Sequence, residues 1–192
     1  MTDTPLITSQ ALLAERHRYF VAAGGGISLP VAGAIYWIVL GILGSRLPLA
    51  DWALFAAAGS GMIFPLGLLL QKPLRANFMK AKSPVGGAAI WAVMGINFLW
   101  PMHFAVIGVQ PELTVLTLAI GMTIHWVVIG WGYASKACFI HAFARMIVVT
   151  VMFYAMPEAR LTLLPFAIAI LYLLAAGGIA FEVSMVRKRQ AQ

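Results

Sequence analysis

A small set of polar side chains that could do chemistry lies in or beside long apolar stretches of this sequence. They are Asn97, His103, His125, Tyr133, His141, Arg145 and Glu182. An ionisable residue at bilayer depth is costly, and it commonly marks the route of a solute, an ion or a proton. The sequence therefore predicts a polar seam between the third, fourth and fifth apolar stretches, through which a small solute or ion binds or passes.

His125 is expected near the middle of that seam, between Gly121 and Gly130 on the fourth stretch. Its buried imidazole needs a hydrogen-bond partner, which Asn97 or His103 on the preceding antiparallel helix could supply. Histidine also titrates close to physiological pH, which suits a proton relay. The alternative is a purely structural hydrogen bond between helices, worth about 0.6 kcal/mol.

Arg145 and His141 lie four residues apart on the fifth stretch, so they share one helix face. With Tyr133 they are expected at the cytoplasmic mouth of the seam, where the long Arg145 side chain can reach water. Glu182 lies at a similar depth on the sixth stretch. An Arg145–Glu182 ion pair that orders two helices is therefore the structural alternative to a substrate-binding arginine.

Membrane helices must position these side chains. The chain has 192 residues, 62% of them apolar and 10% charged, against about 45–50% and about 25% in soluble domains. A membrane-spanning helix needs roughly 20 apolar residues, and six such stretches can be drawn. They cover residues 27–47, 51–71, 84–108, 113–134, 138–156 and 161–184. The predicted fold is an all-α bundle of six transmembrane helices over residues 27–184.

The segments outside this bundle are short and basic. Residues 1–26 predict a cytoplasmic amphipathic segment, in which residues 9–20 form an interfacial helix before a flexible joint at Gly24–Gly26. Residues 73–84 are typical of a basic juxtamembrane linker, and residues 185–192 of a basic cytoplasmic tail.

Lysine and arginine fall almost entirely in alternate gaps between the apolar stretches. One side holds Arg16, Arg18, Lys72, Arg75, Lys80, Lys82, Lys136, Arg187, Lys188 and Arg189, whereas the other holds only Arg46 and Arg160. This asymmetry predicts that both termini are cytoplasmic. It explains the net charge of +7 without a nucleic-acid partner, and it favours contact with anionic lipids.

The sequence repeats part of itself. LPVAGAIYWIVLGI at 29–42 aligns with SPVGGAAIWAVMGI at 83–96, with identical residues at eight positions. Because the two stretches run in the same direction, the repeat predicts three two-helix hairpin units.

Small residues four apart around Trp37 and Trp91 predict close helix packing. Pro65 predicts a freed carbonyl near residue 61 in the second helix.

Two blocks of the sequence carry a resemblance. SGMIFPLGLLLQK at 60–72 contains the Phe64–Gly67 motif, and GWGYASKACF at 130–139 contains Gly130, Trp131, Tyr133, Ser135 and Lys136. With these blocks the chain resembles a family of small bacterial multi-helix membrane proteins, a domain of unknown function. The resemblance implies a multi-pass protein of the bacterial cytoplasmic (inner) membrane. It transfers no activity.

Three functional hypotheses follow from the residues. The first is binding or passage of a small solute, of unknown identity, through the seam; passage through six short helices would require a homo-oligomer. The second is a non-transporting accessory or lipid-interacting protein. The third is an intramembrane enzyme, which would rest on Ser60 and one histidine. We assign no catalytic residue and expect no cofactor and no metal, since the lone Cys138 fits no Cys/His zinc spacing.

Overall fold

The computed structural model describes residues 8–192. Within this range the chain forms nine α-helices, joined by turns and short 3-10 segments. They are α1 (Ser9–Ala22), α2 (Ser28–Leu43), α3 (Leu49–Ser60), α4 (Ile63–Leu69), α5 (Gly86–Ile96), α6 (Trp100–Val109), α7 (Thr114–Tyr133), α8 (Lys136–Ala155) and α9 (Leu163–Gln190). The first residues of the predicted segment 1–26 lie outside the described range.

Five helical segments are long and apolar enough to cross a membrane. They are Gly24–Leu43, Gly86–Val109, Pro111–Tyr133, Lys136–Ala155 and Leu163–Gln190. The pair α3 and α4 makes a sixth if it is counted as one span bent by 47°. The predicted all-α class is confirmed, and these segments are consistent with a multi-pass membrane protein.

The bend between α3 and α4 lies where the sequence predicts a disturbance. Pro65 has no amide hydrogen to donate to the carbonyl of Gly61, four residues earlier. The helix stops at Ser60, the Met62 amide donates to the Gly59 carbonyl at 2.9 Å, and α4 restarts at Ile63. One missing hydrogen bond thus accompanies the break in the second span.

The core of the bundle forms where α2 packs along α9 and α8 packs against both α7 and α9. Glycines allow the closest approach. A Cβ on Gly33 would lie 2.9 Å from the Tyr172 ring, and one on Gly41 would lie 2.8 Å from Phe166. Trp37, between these glycines, is fully buried. The predicted close packing is therefore present around Trp37.

The second copy of the repeated sequence has a different environment. A Cβ added to Gly87 or Gly95 would meet no heavy atom of the described residues within 4 Å. Trp91, the counterpart of Trp37, is 75% exposed. The predicted close packing around Trp91 is therefore wrong for the isolated chain, because α5 turns this face outward.

The N-terminal helix packs on the bundle as well as facing outward. Tyr19 and Phe20 are buried against Tyr133, with ring centroids 5.2 and 5.1 Å away. The Arg16 Nε donates to the Trp131 carbonyl at 2.5 Å. Residues Gly24–Gly26 form a defined left-handed turn with φ values of 59°, 65° and 62° in place of the predicted flexible joint, and only glycine adopts three such angles without strain.

A short polar network also ties α1 to the loop before α5. Glu15 accepts hydrogen bonds from Arg18 at 2.6 and 2.7 Å and from the Ser83 hydroxyl at 2.6 Å. The Arg18 guanidinium, then the Ser83 hydroxyl, lower the pKa of Glu15 to about 2. The network keeps α1 next to residues 82–83, since Arg18 also donates to the Lys82 carbonyl.

The last helix is longer than its apolar stretch. It runs from Leu163 to Gln190 and so includes most of the predicted basic tail 185–192. Arg187, Lys188 and Arg189 fall in its final turn, where cations interact favourably with the helix dipole. The basic residues therefore continue the helix.

The unequal packing of the two repeat copies gives a matched test. Gly33→Ala should destabilise the protein by about 1–3 kcal/mol, because the new methyl group overlaps the Tyr172 ring. Gly87→Ala makes the same chemical change in open space and should be neutral or stabilising by up to about 1 kcal/mol. Thermal melts in detergent compare the two variants. Equal losses would contradict the described packing of α2 on α9.

Candidate functional site

Arg145 is the most unusual residue of the bundle. It lies about midway along α8, roughly 13 Å from Lys136 at about 1.5 Å rise per residue, and its side chain is 0% exposed. The expectation that its side chain reaches water is wrong, because the guanidinium points into the bundle between α2 and α9.

Aromatic side chains from both neighbouring helices surround the guanidinium. The Arg145 Nη1 donates to the Tyr172 hydroxyl at 2.5 Å. The Arg145 Cζ lies 4.7 Å from the Tyr172 ring centroid and 5.7 Å from that of Trp37. Desolvated cation–π contacts of this kind contribute about 2 kcal/mol. Gly33 leaves the space that the Tyr172 ring occupies, so the α2 repeat positions the ring that holds Arg145.

Most of the donors on Arg145 have no acceptor. Its Nε and Nη2 are buried and make no hydrogen bond within residues 8–192. The indole Nε1 atoms of Trp37 and Trp126 are likewise buried without a partner there. A buried charge costs several kcal/mol after relaxation unless it is paired. The site therefore concentrates positive charge and unpaired donors.

The expected ion pair of Arg145 with Glu182 does not form. The Glu182 carboxylate accepts from the Ser135 hydroxyl at 2.5 Å and from the Ala137 amide at 3.0 Å. It therefore caps the first turn of α8, where backbone amides lack helical partners and the helix dipole favours an anion. Across the described part of the chain, Arg18–Glu15 at 2.6 Å is the ion pair that forms.

His141 belongs to the same cluster. Its Nδ1 lies 3.1 Å from the Leu171 carbonyl, and because a carbonyl only accepts, Nδ1 carries the proton. In the neutral ring Nε2 then carries the lone pair and can accept, and this atom is buried and unpartnered within the described range. The ring packs 4.8 Å from both Trp126 and Tyr172. His141 thus places a free acceptor beside the ring that holds Arg145.

His125 lines a small cavity next to this cluster. The cavity has a volume of about 40 Å³. Its lining includes Gly25, Gly26, Leu29, His125, Trp126, Ile129 and Tyr133. That volume holds a few water molecules. The His125 Nδ1 is buried and unpartnered among the described residues, and its ring stacks 5.6 Å from Trp126. Trp126 therefore separates the cavity from the arginine cluster.

Two predicted seam residues lie elsewhere. Asn97 is exposed, donates to the Val93 carbonyl at 3.0 Å and accepts from the Trp100 indole at 3.3 Å, so it serves its own helix. His103 is buried, with Nδ1 3.3 Å from the Thr117 hydroxyl, which is about two turns along α7 from His125. The hydrogen bond expected from Asn97 or His103 to His125 is therefore absent within residues 8–192.

The sequence-based prediction missed the three aromatic residues that build the site. Trp37 carried one signal, its place in the repeated sequence, which was interpreted as helix packing alone. Trp126 and Tyr172 carried none, because an aromatic ring on an apolar helix is typical of any core. Residues 8–192 contain no group of three or more His, Cys, Asp or Glu side chains able to hold a metal ion.

Over residues 8–192, fold and site together define an all-helical protein with membrane-length helices and a buried arginine packed between aromatic side chains. Residues 12–182 match the model of a family of unknown function, DUF7010, so the chain belongs to that family. The predicted resemblance to a domain-of-unknown-function family is thereby confirmed. No curated protein and no solved structure matches the chain.

Removing the buried charge should not destabilise the protein when no small anion is present. In buffer with gluconate as the only anion, Arg145→Met should be as stable as the parent, or more stable by about 1–4 kcal/mol, because a desolvated charge is lost. Arg160→Met is the control, since Arg160 donates to the Phe153 carbonyl from a partly buried position; it should cost about 0.5–1.5 kcal/mol. A loss above about 2 kcal/mol for Arg145→Met would show that Arg145 is already compensated.

Proposed function

We propose that this protein binds a small anion inside its helix bundle, at a site formed by Arg145, Trp37, Tyr172, His141 and Trp126. The observation that carries the proposal is the fully buried Arg145, whose Nε and Nη2 have no acceptor in the described chain. A bound anion would accept these hydrogen bonds and neutralise the charge. Charge-assisted hydrogen bonds are about twice as strong as neutral ones.

The ligand class follows from the donors. Guanidinium and indole groups only donate, and no carboxylate bonds to Arg145 among the described residues. The site therefore favours an acceptor over a cation. The free His141 Nε2 adds one acceptor, so an anion that also carries a hydrogen-bond donor would fit better than a bare halide.

A size limit on the route to this site comes from the neighbouring cavity. Its volume of about 40 Å³ admits an anion of a few heavy atoms but not a sugar or a nucleotide. It lies below the Gly25–Gly26 turn and reaches Trp126, which contacts His141 and Tyr172. This supports entry from the α1 side past a moving Trp126. Passage across the bundle would need a second opening or a homo-oligomer, so binding is the function we propose.

The predicted orientation of the chain is compatible with the same route. The positive-inside asymmetry favours cytoplasmic termini, and the proposed hairpins are α2 with α3–α4, α5–α6 with α7, and α8 with α9. In that orientation the Gly25–Gly26 turn and the cavity face the cytoplasm, and Arg145 lies near the bilayer midplane. In Lys188→Cys, a membrane-impermeant maleimide should label the protein only from the cytoplasmic side; labelling from outside would contradict a cytoplasmic opening of the cavity.

Anion-dependent melting tests the proposal. At constant ionic strength, chloride, nitrate, formate and bicarbonate replace gluconate, which is too large for the site. A ligand at about 100 times its Kd should raise the melting temperature by about 5–11 °C. Arg145→Gln should abolish the rise, and Arg145→Lys should weaken it, because lysine keeps the charge but lacks the planar fork of donors.

Arg160→Gln is the matched control, since it removes an equal charge outside the cluster. It should melt at a lower temperature but keep the full response to small anions. The proposal fails if gluconate stabilises the protein as well as the small anions do. It also fails if Arg145→Gln responds to them like the parent.

A further inference from the structure

A second site for anionic groups lies in the loop between α4 and α5. This loop borders an open pocket of about 480 Å³, a volume within the range of ligand sites. The residues that line it include three cations, Lys72, Arg75 and Lys80, together with Gln71 and Asn77. None of the three cations forms an ion pair in the described residues.

The loop is a folded element fixed to the rest of the protein. The Asn77 amide donates to the Ala23 carbonyl at 3.0 Å, and the Ala76 amide donates to the Gln71 carbonyl at 2.9 Å. Ala76 is fully buried. The Arg75 carbonyl lies so close to Gly24 that a Cβ there would be 2.5 Å from it. The left-handed glycine turn thus anchors the backbone of the loop at Arg75–Asn77.

Two acids of residues 8–192 on the same predicted side of the bundle are engaged elsewhere. Glu15 binds Arg18 and Ser83, and Glu182 binds Ser135 and Ala137. Neither of these two acids neutralises the cavity. Clustered basic residues of this kind, next to the cytoplasmic end of a membrane helix, attract the phosphate of anionic lipids.

Apolar side chains continue the cavity toward the helix end. Leu68 and Met79 line it, and Met79 is 59% exposed. The adjoining Leu69, the last residue of α4, is 75% exposed. A free phosphate would leave these side chains unused, whereas a phospholipid presents a charged headgroup and an acyl chain in this order.

Arg75 has a backbone conformation that an arginine rarely adopts. Its φ is 52°, in the left-handed region where glycine is favoured. A glycine at this position would relieve the backbone. The chain instead has a cation there, and this residue lines the cavity; such conflicts between local preference and residue type occur at functional positions.

We propose that Lys72, Arg75 and Lys80 bind the headgroup of one anionic phospholipid, with its acyl chain lying along Leu68 and Leu69. The assignment is independent of the site at Arg145, which lies deep inside the bundle. Gln71 and Asn77 supply further polar contacts to the headgroup. The lipid would bridge the α4–α5 loop and the bilayer, and so stabilise the loop against the glycine turn.

Thermal melts of the full chain in mild detergent test this proposal. Dioleoyl-phosphatidylglycerol should raise the melting temperature by about 3–8 °C more than dioleoyl-phosphatidylcholine does. Native mass spectrometry should show one retained phosphatidylglycerol. Lys72→Gln/Arg75→Gln/Lys80→Gln should lose most of the difference. Arg187→Gln/Lys188→Gln/Arg189→Gln is the matched control, because it removes the same charge from the exposed end of α9 and should keep the difference.

Arg75→Gly separates binding from folding. Without lipid it should melt at or above the parental temperature, because glycine relaxes the left-handed residue, yet it should lose at least half of the phosphatidylglycerol effect. If the triple variant does not fold, the exposed single variants Lys72→Gln and Lys80→Gln replace it, and each should reduce the effect.

Three outcomes would overturn the proposal. The first is a C-terminal control that loses as much of the effect as the loop variant, which would mean general surface attraction. The second is an equal effect of phosphatidylcholine. The third is an equal effect of inorganic phosphate, which would mean a site for the free ion. Persistence of the lipid effect in Arg145→Gln supports the proposal, and its loss there would contradict the independence of the two sites.

Discussion

The structure depends on how one permanent charge is accommodated in an apolar bundle. Arg145 is fully buried and cannot lose its proton, so its cost cannot be avoided by neutralisation. Tyr172 and Trp37 offset part of that cost through one hydrogen bond and two cation–π contacts. No group of the described chain offsets the rest of that cost, since the Nε and Nη2 of Arg145 have no hydrogen-bond partner there. Helices α2, α8 and α9 therefore surround a guanidinium whose Nε and Nη2 have no acceptor among the described residues.

The close packing of α2 on α9 places the Tyr172 ring beside the Arg145 charge. The Tyr172 ring can lie beside Arg145 only because Gly33 has no side chain at the point of contact. The repeated sequence around Gly87 packs against no such ring, and its glycines face open space. The same spacing of small residues thus gives close packing in α2 but not in α5, since a small residue brings two backbones together only where a neighbouring helix packs against it.

The positions of the helices along the chain could be predicted from the sequence, because a long run of apolar residues is visible in the composition without any knowledge of its neighbours. The stretch 113–134 became Thr114–Tyr133, and Pro65 marked the bend of the second span. The site could be predicted only in part. Arg145 and His141 were recognised as polar residues on one helix face, but rotation about each helix axis decides which side chains meet. Asn97 faces outward although its depth suited the seam. Helical periodicity was too weak to reveal this, because apolar residues cover every face of these helices.

The most direct test of the account is anomalous diffraction from crystals grown in bromide, a small anion that marks its own position. We expect one bromide within hydrogen-bonding distance of the Arg145 Nε or Nη2, with the Trp37 and Tyr172 rings at its sides. The peak should vanish in Arg145→Gln. Bromide found only at the protein surface, with both Arg145 nitrogens bonded to protein atoms, would contradict the claim that this arginine is held for an anion.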